Sequence, residues 1–155
     1  MLTYDFEESI GYWLILSSQA YRRVISEELA PHGITFRQAQ VLGWLVHLGE
    51  LGQAELADRM EIEPPTLAGV IDRMERDQLI SRRQCSKDRR KKLVRINSQA
   101  APVWTKITAA GRRVRAHAAT GLTSEEVSEL KRLLAIVHGN LGLPIATHAI
   151  TPSSS

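Results

Sequence analysis

The chain carries one cysteine, Cys85, in 155 residues, so no internal disulfide can form and a reducing compartment is expected. It has no apolar run near the roughly 18 residues that a membrane span needs. The acidic start, Met1-Leu2-Thr3-Tyr4-Asp5-Phe6-Glu7-Glu8, is unlike a signal peptide. These absences predict a cytoplasmic chain with no membrane partner. The histidines, His32, His47, His117, His138 and His148, show no ligand spacing with one another or with the cysteine, which argues against a zinc site. There is no nucleophile elbow, phosphate-binding glycine loop or recognisable carboxylate pair, so neither an enzyme nor a cofactor is expected. Internal repeats are absent, and the one low-complexity piece is the tail Thr151-Pro152-Ser153-Ser154-Ser155. With 43% hydrophobic and 24% charged residues, one soluble domain, or two small sub-domains sharing a core, is the expected class.

Acids are nearly missing from residues 79–97. Arg82, Arg83, Lys87, Arg89, Arg90, Lys91, Lys92 and Arg95 stand there against Asp88 alone, a local charge of +7 in a chain whose total is +3. Everything outside the stretch is therefore net acidic. Such a cation density suits a polyanion.

The flanking sequence gives that stretch a frame. Phe6, Ile10, Trp13, Ser17, Ala20 and Val24 recur at spacings of four and three, which predicts an amphipathic helix from residue 5 to about 29, ended by Pro31 and Gly33. A helix of roughly 37 Å exceeds the needs of its own core. Its apolar surplus suggests a partner chain, with a helix wrapped across its own domain as the other reading. Thr35 and Gln38 form a capping box for a second helix, to about residue 48, through Ala39, Leu42 and Val46. Gly49 and Gly52 break the chain. A short helix over 53–60 would bury Ala54, Leu56, Ala57 and Met60, and Glu61-Ile62-Glu63 turns into another helix that Pro64 opens.

In that helix, 64–77, Leu67, Val70, Ile71 and Met74 share one face, while Pro65, Ala68, Gly69, Asp72, Arg73 and Arg76 lie opposite. Two short helices with such faces make either a helix-turn-helix or an ordinary helical hairpin. The residues after the helix decide between them. Leu79-Ile80 and residues 92–97 read as antiparallel strands, with residues 85–91 as their tip. A basic ribbon directly after a helix-turn-helix is a winged helix, with its helix suited to a major groove and its ribbon to the adjacent minor groove.

Here the sequence resembles the MarR family of bacterial transcription regulators, the SlyA branch most closely, over about residues 6 to 142. The family's wing motif, Asp-x-Arg, five residues, then Leu-Thr, appears as Asp88-Arg89-Arg90, Lys91 to Arg95, then Ile96-Asn97. Its Pro-[Ser/Thr]-Leu and Asp-Arg-[Leu/Met]-Glu segments appear as Pro65-Thr66-Leu67 and Asp72-Arg73-Met74-Glu75. The resemblance implies a mainly α fold with a small β-wing, built as a winged helix-turn-helix lobe and an interlocking helical dimerisation lobe. It implies a nucleoid-associated repressor that binds double-stranded DNA as a homodimer on a palindromic operator. Arg90 would enter the minor groove, with Asp88 orienting its guanidinium through a charge-assisted hydrogen bond. Arg89 and Lys91, with Lys87 beside them at the tip, would lie on phosphates, and Thr66 would bond a phosphate or a base. Gly69 stands where SlyA-like sequences carry arginine, and Glu63 is a poorer helix cap than the serine often found there.

The rest of the chain supplies the dimerisation helices expected from the resemblance. Val103, Ile107, Ala110, Val114 and Ala118 predict a helix over 98–119, with Arg112, Arg113 and Arg115 on its solvated face. Thr123-Ser124-Glu125-Glu126 is a capping box, and Leu122 with Val127 forms a staple. The last helix then carries Leu130, Leu133, Leu134, Val137 and Leu141 before Gly142 and Pro144 stop it. The expected organisation is a dimerisation helix in 1–33, the DNA-binding domain in 34–97, dimerisation helices in 98–142 and a disordered tail in 143–155.

Three readings stay open on the sequence. Trp13, Trp44 and Trp104 either pack the core or line a pocket for the small phenolic or aromatic carboxylate ligands that family members hold. Cys85, among the wing cations, is either a redox switch or a small wing residue without that duty. A winged helix can also serve as a protein-interaction module without specific DNA binding.

Overall fold

The computed structural model describes residues 1–142, so the expected tail disorder and the stop at Pro144 lie outside the described residues. The chain divides into two compact units, Met1–Arg115 and Ala116–Ser155. The fold is mostly helical with one small three-stranded sheet, as the sequence predicts.

In the first unit, α1 is Ile10–Leu29, α2 Phe36–Leu48, α3 Gln53–Met60 and α4 Pro64–Arg76. The strands are β1, Leu51–Gly52; β2, Ile80–Gln84; and β3, Lys92–Ile96. Helix α1 starts later than its apolar spacing predicts, because the Ser9 hydroxyl accepts the Tyr12 amide and caps it there. Phe6 consequently lies before the helix, its ring packed on Tyr4 and Tyr12 at centroid distances of 4.9 and 5.8 Å. Of α1, only Ile25 and Leu29 are buried. Ile10 and Trp13, on the expected stripe, are 65% and 54% exposed.

The capping box at α2 forms as its sequence requires: the Gln38 amide donates to Thr35 Oγ1 at 3.1 Å, and the Thr35 amide donates to Gln38 Oε1 at 3.0 Å. The buried face is Val41, Leu42 and Leu45 rather than Ala39, Leu42 and Val46, since the bulkier pair turns inward and leaves Val46 exposed. In α3, Leu56, Ala57 and Met60 are buried, whereas Ala54 faces outward, against expectation. Glu61 then adopts a left-handed conformation, φ 51°, and ends the helix. Its successor, Ile62, donates back to the Ala57 carbonyl at 3.1 Å.

Helix α4 buries Leu67, Val70, Ile71 and Met74, the predicted face. These meet Leu29, Leu42, Leu56, Ile80 and Val94 in one core. Each fully buried aliphatic side chain contributes about 1.5–3 kcal/mol from desolvation. The sheet order is β1-β3-β2, all antiparallel, with Leu51 opposite Val94 and Arg82 opposite the same Val94 on the other side. Strand β1 is too short for a two-residue period to register, and the sequence reads it only as a break between glycines.

Helix α5, Ala101–Ala118, follows a 3-10 turn at Ser98–Ala100 and buries Ile107, Ala110 and Val114; Ala118 is exposed, not buried as its spacing suggests. In the second unit, α6 spans Ser124–Asn140. Its capping box is complete, with the Glu126 amide on Thr123 Oγ1 at 3.1 Å and the Thr123 amide on Glu126 Oε2 at 3.0 Å. No residue of α6 is buried, and Leu130, Leu133, Leu134 and Ile136 are each more than 40% exposed. Among the described residues, no helix is long and apolar enough to cross a membrane.

Candidate nucleic-acid interface

Burying one face of α4 determines what the other presents. Pro65, Thr66, Gly69, Arg73 and Arg76 are exposed or partly so and Ala68 is half-buried, so a strip of small side chains near the helix start gives way to two arginines near its end. Small residues permit close approach of a ligand to the helix backbone. Arg73 lies back along its own helix, with Nε 3.4 Å from the Gly69 carbonyl. Glu63 occupies the N-cap but makes no side-chain cap bond; Pro64 and Pro65 have no amide hydrogen to satisfy, and the first amides of α4, those of Thr66 and Leu67, donate to the Glu63 carbonyl at 3.0 and 3.2 Å.

The wing is β2, the tip and β3. Its cations fall into two groups that sequence alone does not separate. At the root, Arg82 is held by Glu75 through Nε and Nη2, both at 3.1 Å, and reaches Asp72 at 2.9 Å. Arg83 is held by Glu50, with Nε at 2.9 Å and Nη2 at 2.6 Å. Arg95 donates to the Ser81 hydroxyl at 3.0 Å, and that hydroxyl donates to Asn97. At the tip, the side chains of Lys87, Arg89 and Lys91 meet no carboxylate among the described residues, and that of Arg90 is 97% exposed.

The role expected of Asp88 needs correction. Its carboxylate accepts the backbone amide of Arg90 at 3.0 Å, while the Arg90 Nε stands 3.9 Å away, too far for a hydrogen bond. Aspartate two residues before an amide is placed to form this local turn, which competes for the same oxygen. Asp88 therefore shapes the tip and attracts the guanidinium only through space. The tip is closed by the Cys85 amide on the Lys91 carbonyl at 2.9 Å and by Gln84 Nε2 on the Arg89 carbonyl at 2.9 Å. Backbone amides of Lys87 and Asp88, with smaller contributions from Lys91 and Arg83, hold the Cys85 thiol below its ordinary pKa.

The three tryptophans occupy different settings. Trp13 is exposed, its indole N–H donating to the Glu7 carbonyl at 2.9 Å. Trp44 and Trp104 pack against the core, and the Arg59 guanidinium lies 5.4 Å from the Trp44 ring centroid. Trp44 looks free for a pocket wall on the sequence only because a stripe through Ala39, Leu42 and Val46 runs about one residue out of phase with the buried face of α2. A cleft of about 540 Å³ lies instead between α3, the start of α4 and the wing, lined by Gln53, Glu55, Asp58, Pro64, Arg90 and Lys92 among others.

This arrangement is that of a winged helix. Residues 34–92 match the sequence model of the MarR family. Solved MarR-family structures share the fold. A cysteine-to-serine variant of MarR from E. coli, complexed with operator DNA, is 25% identical, with a TM-score of 0.74 over 87% of this chain and 99% of that one. A MarR-family regulator from Rhodococcus sp. is 20% identical, with a TM-score of 0.78 over 87% and 96%. BpsR of Bordetella bronchiseptica, described as regulated in DNA binding by 6-hydroxynicotinic acid, is 22% identical, with a TM-score of 0.75 over 88% and 98%. Within the MarR-matched segment, sequence reasoning missed Glu50 and the partners of Arg82 and Arg83. The charge alternation in Asp72-Arg73-Met74-Glu75 was the available signal for Arg82; Glu50 offered none.

The ion pairs of the root set a pH dependence. Hydrogen bonds from Arg82 and from Arg83 hold the carboxyls of Glu75 and Glu50, respectively, below the ordinary glutamate value of 4.5. Because both pKa values are lower folded than unfolded, their stabilising contribution is complete above 4.5 and is lost as pH falls through the folded values. Both pairs are partly exposed, so the contribution is small. We expect Glu75→Gln to melt slightly below the wild type at neutral pH and the two curves to converge in acid. A gap that persists below the carboxylate range in calorimetry would show that another effect of the substitution dominates.

Proposed function

We propose that this chain is a MarR-family transcription regulator, SlyA-like in its motifs, that binds double-stranded DNA through α4 in a major groove and the wing in the adjacent minor groove. The observation that carries this reading is the partition of the wing's charge: Arg82 and Arg83 at the root are paired with carboxylates, while Lys87, Arg89 and Lys91 project without such partners and the almost fully exposed Arg90 stands 3.9 Å from Asp88. An extended cationic tip beside a helix of small and basic outer residues suits a phosphate ridge and a narrow groove. Arg90 reads the groove, Arg89, Lys91 and Lys87 contact phosphates, and Thr66, Arg73 and Arg76 contact the major groove, with Pro65, Ala68 and Gly69 allowing close approach. The operator-bound relative supports DNA as the partner, and the regulation of BpsR supports a small aromatic carboxylate that releases it.

The apolar residues exposed on α1 and, separately, those exposed on α6 support a homodimer. Two-fold symmetry would repeat the half-site after about 34 Å, one DNA turn, and so require a palindrome.

Binding to duplexes selected from genomic fragments should weaken by about 1–3 kcal/mol in Arg90→Ala, and the salt slope should fall by about one counterion. A wild-type affinity insensitive to salt would instead favour a protein-interaction module. Aromatic acids added to the same titration should reduce affinity. Light scattering at micromolar concentration should give a dimer mass; a monomer that still binds DNA fully would defeat the symmetric arrangement. The lowered thiol of Cys85 favours a second reading, redox control of that binding. Peroxide should then weaken the wild type but spare Cys85→Ser, and identical responses would eliminate the switch.

A further inference from the structure

Arg82 and Arg83 are adjacent on β2, so their side chains leave opposite faces of the ribbon. Each meets a carboxylate from a different element. On one face, Arg82 grips Glu75 of α4 with two nitrogens and touches Asp72 one turn earlier. The backbone amide of Arg82 donates to the same Glu75 Oε2, at 3.1 Å. On the other face, Arg83 grips Glu50, the residue before β1, again with two nitrogens. A fork-to-carboxylate pair fixes orientation as well as distance.

We infer that Arg82 and Arg83 are positioning residues that clasp the wing root from both faces, to α4 and to the segment before β1, and thereby set where Arg90 reaches relative to α4. The inference rests on the proposed DNA-binding function. A hairpin fastened only along its own strands can pivot about its root, and a small rotation there becomes a larger displacement at the tip. Bonds within the ribbon transmit the setting outward: Arg95 to Ser81, Gln84 to the Arg89 carbonyl, and Cys85 to the Lys91 carbonyl. Partial exposure keeps the pairs from adding much stability. Their contribution is registration of two reading elements that must fit adjacent grooves together.

Electrostatics makes the test sharp, because removing two acids beside a DNA-binding surface should, by charge alone, tighten binding to any duplex. The clasp predicts the opposite for the preferred sequence. The double variant Glu50→Gln/Glu75→Gln should bind a duplex selected by the wild type from a random pool on the order of tenfold more weakly, without losing affinity for a scrambled duplex of equal length. In the free protein, hydrogen exchange at the Cys85 and Lys91 amides should quicken. The charge-conserving exchange Glu50→Arg/Arg83→Glu, which rebuilds one pair reversed, should bind better than Arg83→Glu alone. Equal or tighter binding of the selected duplex by the double variant, unaltered exchange, or no rescue would each overturn the clasp. If the wild type retained no duplex at all, the DNA-binding function would fall, and the exchange measurement would decide the clasp by itself.

Discussion

What α4 presents to its surroundings depends on the burial of the opposite side of this thirteen-residue helix. Leu67, Val70, Ile71 and Met74 lock α4 into the core, and rotating the helix would return four apolar side chains to water. At about 1.5–3 kcal/mol for each fully buried aliphatic side chain, such a rotation is prohibitive for a small domain. The outer face is consequently as fixed as the inner one. Small residues lead and arginines follow because core packing leaves those positions outside.

The same helix reaches beyond the core. Asp72 and Glu75 both turn toward Arg82, whose single charge offsets one of their two. Glu50 pairs with Arg83. Charge on the wing is thus graded along its length: Arg82 and Arg83 are paired where it joins the body, while at the projecting tip four cations stand against Asp88 alone. The local excess of seven cations overstates the field at the root and locates it at the tip.

Legibility in the sequence follows the range of the forces involved. The two capping boxes, the face of α4 and the position of the tip depend on residues a few places apart, and all are readable. The buried face of α2 is not, because Ala39 and Val46 satisfy a helical period as well as Val41 and Leu45 do, and only packing against the rest of the core chooses between them. The start of α1 turns on one hydroxyl, Ser9. The partner of Arg83 lies 33 residues earlier in the chain, where no local pattern could show it. Asp88 looks in sequence like a partner for the guanidinium of Arg90, but its closer neighbour is the same residue's amide. Short-range competition of that kind is decided by tenths of an ångström.

Strand β3 has neighbours on both sides, which leaves the outer margin of β2 as the sheet's long open edge. Such margins invite foreign strands, and proteins ordinarily blunt them with charge or cover. Here the Arg82 amide is already bonded to a carboxylate from α4, and the side chains of Arg82 and Arg83 flank it. A strand arriving from another chain would have to displace that carboxylate and approach an arginine pair. The contact that joins wing to helix therefore also guards the sheet against uninvited pairing.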